Sequence, residues 1–233
     1  AGWCVGNDGV VVKTTNGGSS WSTQNTGITN NFYGVCFPNL NIGFIVNDGG
    51  GVRKTTDGGF TWTGQVTNVT TPLYGVYFTS INNGIAFGAE GKLIRTTNGG
   101  TNWTSITMNT TKALRAVSFI DANTAVIVGD SGVVFKTTNA GSSWFTQNIG
   151  YKVNKFYFHN SSTGWAVADT GKIYKTTNSG VNWAEQNSNT TVNLKYVEKV
   201  EPFFNSGLLL YLKDGIKIEV SRRQSVKFKN SLS

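Results

Sequence analysis

Charge, proline, histidine, methionine and cysteine are all scarce in this chain of 233 residues. Charged residues make up only 14%, yet the balance is +8. An imbalance of that size bears on solubility and on steering toward a polyanionic partner rather than on fold. Two cysteines, Cys4 and Cys36, are too few for a disulfide framework and lack the spacing of metal ligands. They are read either as a pair or as two small buried thiols. No apolar run approaches the ~20 residues of a membrane-spanning helix. A signal-peptide pattern is also absent, and the chain opens on Ala1 in mid-pattern, so a processed or truncated N-terminus is expected.

What the chain has in quantity is glycine, 29 residues against three prolines, with much Thr, Asn and Ser. That mixture favours short strands and tight turns over helices. The dominant feature is a nine-residue word: KTTNGGSSW from Lys13, KTTDGGFTW from Lys54, RTTNGGTNW from Arg95, KTTNAGSSW from Lys136 and KTTNSGVNW from Lys175. Its first threonines, Thr14, Thr55, Thr96, Thr137 and Thr176, are 41, 41, 41 and 39 residues apart, a propeller-blade period. Each unit offers four segments in chain order. Segment A is FYGVCF, LYGVYF, LRAVSF or VNKFYF; segment B is an apolar run ending in a polar turn; segment C leads into the word; segment D starts at its Trp. All seven tryptophans fall on repeat positions, as packing residues do: Trp21, Trp62, Trp103, Trp144 and Trp183 in the word, Trp3 and Trp165 in segment B.

The word resembles the Asp-box, Ser/Thr-x-Asp/Asn-x-Gly-x-x-Trp, here Thr14, Asn16, Gly18 and Trp21 with their four sets of counterparts. In a C–D turn, Asn or Asp bonds turn backbone, Gly supplies positive φ and Trp anchors the turn, so the word is a structural joint. TTNGG and TTDGG after a basic residue are similar to the propellers of the photosystem II assembly and stability factor family, over residues 1 to about 190. The resemblance implies a non-catalytic, protein-binding propeller, commonly of seven blades; no cofactor or bound metal is expected. The expected fold is therefore all-β: a β-propeller of four-stranded blades, five of them clear, with residues 1–190 as the blades and the first blade lacking segment A. Residues 191–233 are expected to add a degenerate sixth blade or a closing strand. Similar repeats are common in secreted bacterial proteins, so an extracytoplasmic location is expected. An unclosed arc would expose strand edges and favour self-association.

Asp-boxes also occur in sialidases, whose site needs an arginine triad, a Tyr–Glu pair and an acid Asp. Before residue 190 arginine occurs only at Arg53, Arg95 and Arg115, and Arg95 holds a position that is Lys in the other words. The one histidine, His159, ends a segment A and reads as structural. A glycosidase thus ranks third among the functions considered. Two rings are better marked. Lys13, Lys54, Arg95, Lys136 and Lys175 precede the words, while Asn7, Asp48, Asp130 and Asp169, with Ala89 beside Glu90, precede the B–C turns. Those turns point to opposite ends of an antiparallel blade. The basic five are either a candidate ring for an acidic protein partner or solvated strand ends.

The tail reads differently. VNLKYV at Val192 follows VNKFYF at Val153 by 39 residues, GLLLYLKDG resembles segment B with its turn, and IKIEV a segment C. The same stretch resembles the C-terminal half of a LytTR-type DNA-binding domain through Val192, Asn193, Asp214, Gly215, Val220, Ser221 and Arg222 or Arg223. That resemblance implies nucleic-acid contact by Arg222 and Arg223, the alternative to a protein-interaction scaffold. From Thr190 on there are eight Lys/Arg and four Asp/Glu, a net +4, which alone supports only salt-sensitive binding. Asn68, Asn102, Asn109, Asn160 and Asn189 head glycosylation sequons, relevant only in a glycosylating secretory pathway.

Overall fold

In a computed structural model the described residues are 1–194, 199–203, 207–211 and 217–220. They form successive antiparallel sheets. The first holds β1 (Gly2–Val5), β2 (Val11–Thr14) and β3 (Ser22–Gln24). The second holds β4 (Phe32–Cys36), β5 (Gly43–Asn47), β6 (Val52–Thr55) and β7 (Thr63–Gln65), and the third β8 (Leu73–Phe78), β9 (Gly84–Gly88), β10 (Leu93–Thr96) and β11 (Thr104–Ile106). The fourth holds β12 (Leu114–Phe119), β13 (Ala125–Gly129), β14 (Val133–Thr137) and β15 (Phe145–Asn148), and the fifth β16 (Val153–Phe158), β17 (Gly164–Ala168), β18 (Ile173–Thr176) and β19 (Ala184–Gln186). The tail contributes β20 (Lys199–Phe203), β21 (Gly207–Tyr211) and β22 (Lys217–Val220) in a three-stranded antiparallel sheet. Each full sheet runs A-B-C-D in chain order, the blade pattern of a β-propeller.

Two compact units can be distinguished, Ala1–Ile127 with Thr137–Trp144, and Val128–Lys136 with Phe145–Ser233. In the first, the core gathers Phe44, Val46, Leu73, Val76, Phe78, Ile94 and Trp103, with a second cluster of Val11, Phe32, Ile45 and Trp62. In the second, Val153, Trp165, Val167, Ile173, Tyr174 and Leu194 are buried. Strands β5, β9, β13 and β17 are buried at every residue. They are covered on both faces, which is why segment B reads as an apolar run and not as an alternation. The D strands are short and mostly exposed.

The repeated word forms the same joint five times. The buried threonine hydroxyl donates to the Asn or Asp carboxamide or carboxylate at 2.7–3.0 Å. It also accepts the amide of the Gly at the word's sixth place at 2.8–3.0 Å. The Asn or Asp oxygen in turn accepts the amide four residues on at 2.8–3.0 Å. Phe37, Phe78 and Phe158, which close the A segments, meet Trp62, Trp103 and Trp183 edge-on, at centroid distances of 5.9, 6.0 and 6.0 Å. Trp21, in the sheet without an A strand, is 46% exposed where Trp62 is 6% exposed.

The B–C turns bring the chain close to the following D–A connection. Gly91 has φ +67, and a Cβ there would lie 2.1 Å from the Thr110 carbonyl oxygen, so the position needs both a left-handed backbone and no side chain.

Two expectations from the sequence are corrected. Segment A of the tail does not register on Val192, which is 62% exposed; Leu194, 2% exposed, takes the place of Phe32, Leu73, Leu114 and Val153. The Leu194 amide donates to the Ala168 carbonyl as Phe32 does to Gly6, and the Thr170 amide donates to Asn193 as Asp8 does to Asn31. The strand paired with β21 is β20. Nor are the cysteines two buried thiols: both are free, Cys4 exposed and Cys36 half-buried, with burial pushing the Cys36 thiol up.

Candidate functional site

The five basic residues before the words do not stand out as solvated cations. Within the first unit, Lys54 donates its ammonium to the Gly99 carbonyl at 2.7 Å, and Arg95 donates its Nε–H to the Ala140 carbonyl at 2.8 Å. Lys13 lies 4.8 Å from the centre of the Phe60 ring and 5.6 Å from that of Trp3, whose indole N–H donates to Gly58. Within the second unit, Lys136 donates to the Asn178 carbonyl at 3.3 Å. Gly99, Ala140 and Asn178 belong to Asp-box turns of the next blade, so Lys54, Arg95 and Lys136 clasp one blade to its successor by hydrogen bonds, while Lys13 reaches the next blade through the Phe60 ring. Lys175 rests over Trp165 at 5.9 Å, and burial holds its pKa below the ordinary lysine value.

The acidic positions are also engaged. Asp48 accepts from Asn30 Nδ2 at 2.7 Å and from the Asn31 amide at 3.2 Å, which lowers its pKa. Asp169 accepts from Asn154 Nδ2 at 2.8 Å. His159 stands in the A–B connection, where its amide donates to Thr163. Arg222 and Arg223, the residues named for nucleic-acid contact, lie outside the described residues, as do Asp214, Gly215 and Ser221.

A different face is assembled in the first unit, where β8 lies beside both β4 and β12. Gly34 and Gly75 permit that approach: a Cβ on Gly34 would sit 3.0 Å from Gly75 Cα. A register shift between Phe32 and Gly34, repeated between Leu73 and Gly75, bulges each strand at Tyr33 and Tyr74, and such bulges re-aim side chains. The Tyr33 and Tyr74 rings are 5.6 Å apart, and the Arg115 guanidinium lies 4.7 Å over Tyr74. One strand-step along, Tyr77 stacks on Phe119 at 4.7 Å and 10°. Tyr33 is 46% and Tyr77 38% exposed, and Arg115 is exposed. Sequence reasoning missed this face, although the signal was present: the second and fifth places of segment A carry Tyr33, Tyr74, Tyr77 and Arg115 between apolar anchors.

A family model described as photosynthesis system II assembly factor YCF48 matches residues 19–154 and 65–225. No curated protein matches the chain. Among solved structures, YCF48 from Cyanidioschyzon merolae is similar with a TM-score of 0.65 at 19% identity, over 95% of this chain and 79% of that one. An ancestral GH74 enzyme gives 0.70 at 19% identity over 91% of this chain, which spans only 33% of the enzyme's length. The WD40 β-propeller domain of Doa1 gives 0.61 at 11% identity, over 96% of this chain and 75% of that one. At such identities the likeness is one of fold, a β-propeller shared by unrelated functions.

Proposed function

The chain belongs to the photosynthesis system II assembly factor YCF48 family, and on that premise we propose that it is a non-catalytic propeller that holds a protein partner through Tyr33, Tyr74, Tyr77, Arg115 and Phe119. The observation that carries this reading is the cluster itself. Tyr and Arg are the residue types enriched at binding hot spots, and here they project from rigid strands instead of loops. Their rings lie in contact and so give up little conformational freedom on binding. Family membership supports the non-catalytic reading. The roles already taken by the acids agree with it: Asp57 in its turn, Asp48 on Asn30 and Asn31, Asp169 on Asn154, Glu185 on Lys172.

The preferred partner is an extended segment with an aromatic or apolar side chain for the Tyr77–Phe119 stack and an acidic group near Arg115. The net charge of +8 likewise favours an acidic partner. An array of extended peptides varied in acidic and aromatic content, titrated against the chain, tests the proposal. Peptides carrying both features should bind, and Tyr74→Ala with Arg115→Ala should weaken them by about thirtyfold, a loss of roughly 2 kcal/mol at a hot spot. Binding that survives the double substitution, or an array on which nothing binds, would refute it.

A further inference from the structure

Arg95 is the one word-initial residue that is arginine, and a mostly polar cavity of about 370 Å³ opens beside it in the first unit, lined by Arg95, Thr97, Asn98, Asn102, Thr104 and Ser142 with Ile106 as its apolar wall. From these walls we infer a binding site for a tetrahedral oxyanion, a phosphate or sulfate carried free or as an ester.

The difference between arginine and its lysine counterparts is chemical. Lys54 spends one N–H of a compact point charge on the clasp to Gly99 and has no planar fork to offer. Among the described residues Arg95 makes the equivalent clasp on Ala140 through Nε alone, and its two terminal nitrogens form a planar fork suited to an oxyanion. The neighbouring donors are unspent as well. In the first and fourth words the Asn amide nitrogen donates to a serine four residues on, Asn16 to Ser20 at 2.9 Å and Asn139 to Ser143 at 2.8 Å. In the third word that place is Asn102, and Asn98 Nδ2 has no partner among the described residues. The hydroxyls of Thr97, Thr104 and Ser142 also have none there. Among the described residues no carboxylate lines the cavity.

A charged fork, two carboxamides and three hydroxyls therefore line one solvent-open space. They reach it from four places: the end of β10, its own turn, the start of β11 and the next turn. Donors arriving from several directions match the oxygens of a tetrahedral anion better than the two oxygens of a planar carboxylate.

Two substitutions test this without dismantling the joint, because the chain already carries both at equivalent positions. Arg95→Lys reproduces Lys54, keeping the clasp and losing the fork. Asn98→Asp reproduces Asp57, keeping the turn and placing a negative charge on the cavity wall. Titration calorimetry of the 233-residue chain with inorganic phosphate, sulfate, acetate and chloride at constant ionic strength gives the affinities. Phosphate and sulfate should bind saturably and ahead of acetate and chloride, and each variant should lose at least about tenfold, the scale of one charge-assisted hydrogen bond. Urea midpoints of the variants confirm that they are folded; if one is not, the other decides. A phenyl phosphate or phenyl sulfate arm separates an ester ligand from the free ion. Absence of saturable binding, equal binding by chloride or acetate, or a folded variant that binds like the parent would overturn the inference.

Discussion

Replacing Thr96 by the isosteric Val tests the account of the repeated joint. The Thr96 hydroxyl donates to Asn98 Oδ1 at 3.0 Å and accepts the Gly100 amide at 2.9 Å and, at 3.3 Å, the amide of Asn98. Thr96 and Gly100 are both buried, so in the variant water cannot replace the lost acceptor. An unsatisfied buried amide costs about 1–3 kcal/mol, and the bond lost by Asn98 Oδ1 adds about 1. The expected loss is then about 2–4 kcal/mol. Thr14→Val is the internal control. It removes the same three bonds, but Gly18 is exposed and solvent can serve its amide, so the loss should stay near the ~1 kcal/mol of an ordinary net hydrogen bond. Urea unfolding of parent and both variants, compared at constant slope, measures the difference. Amide exchange at Gly100 should accelerate in step. Equal destabilisation at the two sites would refute the argument, since it makes the penalty depend on burial and not on the bonds alone.

Gly91→Ala should cost well over 1 kcal/mol, because the new methyl meets both a left-handed backbone and the Thr110 carbonyl; a urea midpoint like the parent's would contradict it. Asp57 is the only acid in the five words. The Thr61 hydroxyl and amide and then the Thr55 hydroxyl hold its carboxyl well below the usual range. A depressed folded pKa stabilises above the unfolded value of about 3.9 and is lost as pH falls below it toward the folded value. Asp57→Asn should therefore flatten the acid limb of an unfolding-against-pH curve; an unaltered acid limb would show that the turn does not sense this charge. For nucleic acid, duplex titration with the chain and Arg222→Ala/Arg223→Ala should show weak binding that fades with salt. Sequence-dependent binding that persists in moderate salt and vanishes in the variant would make the tail a DNA reader.

Local chemistry was readable wherever one segment contains all the partners of a bond. The Asp-box turn closes within nine residues, so Thr96, Asn98, Gly100 and Trp103 announce both their geometry and their number of copies. The sequons are a subtler case. Asn68, Asn109 and Asn189 have φ of +55, +49 and +53, in the place held elsewhere by Gly27 and Gly150, and the Asn160 side chain accepts the Ser162 and Thr163 amides at 3.0 and 2.8 Å. Turn demands account for these four asparagines without any modification. The tail's anchor was misplaced by two residues because VNLKYV copies the letters of VNKFYF, whereas burial selects Leu194.

By itself, then, the sequence determined the class of fold, the blade period, the joints and the A-B-C-D order, since each depends on partners a few residues apart or on an apolar pattern that repeats. Only the tertiary structure decided what the basic residues do, because the carbonyls they reach lie 42–45 residues away in the next blade. The same holds for the Tyr33–Tyr74–Arg115 face and for the cavity beside Arg95. Each is made by side chains that are unremarkable within their own segment and become a surface only when neighbouring sheets pack, since proximity between blades is a property of packing and not of local propensity.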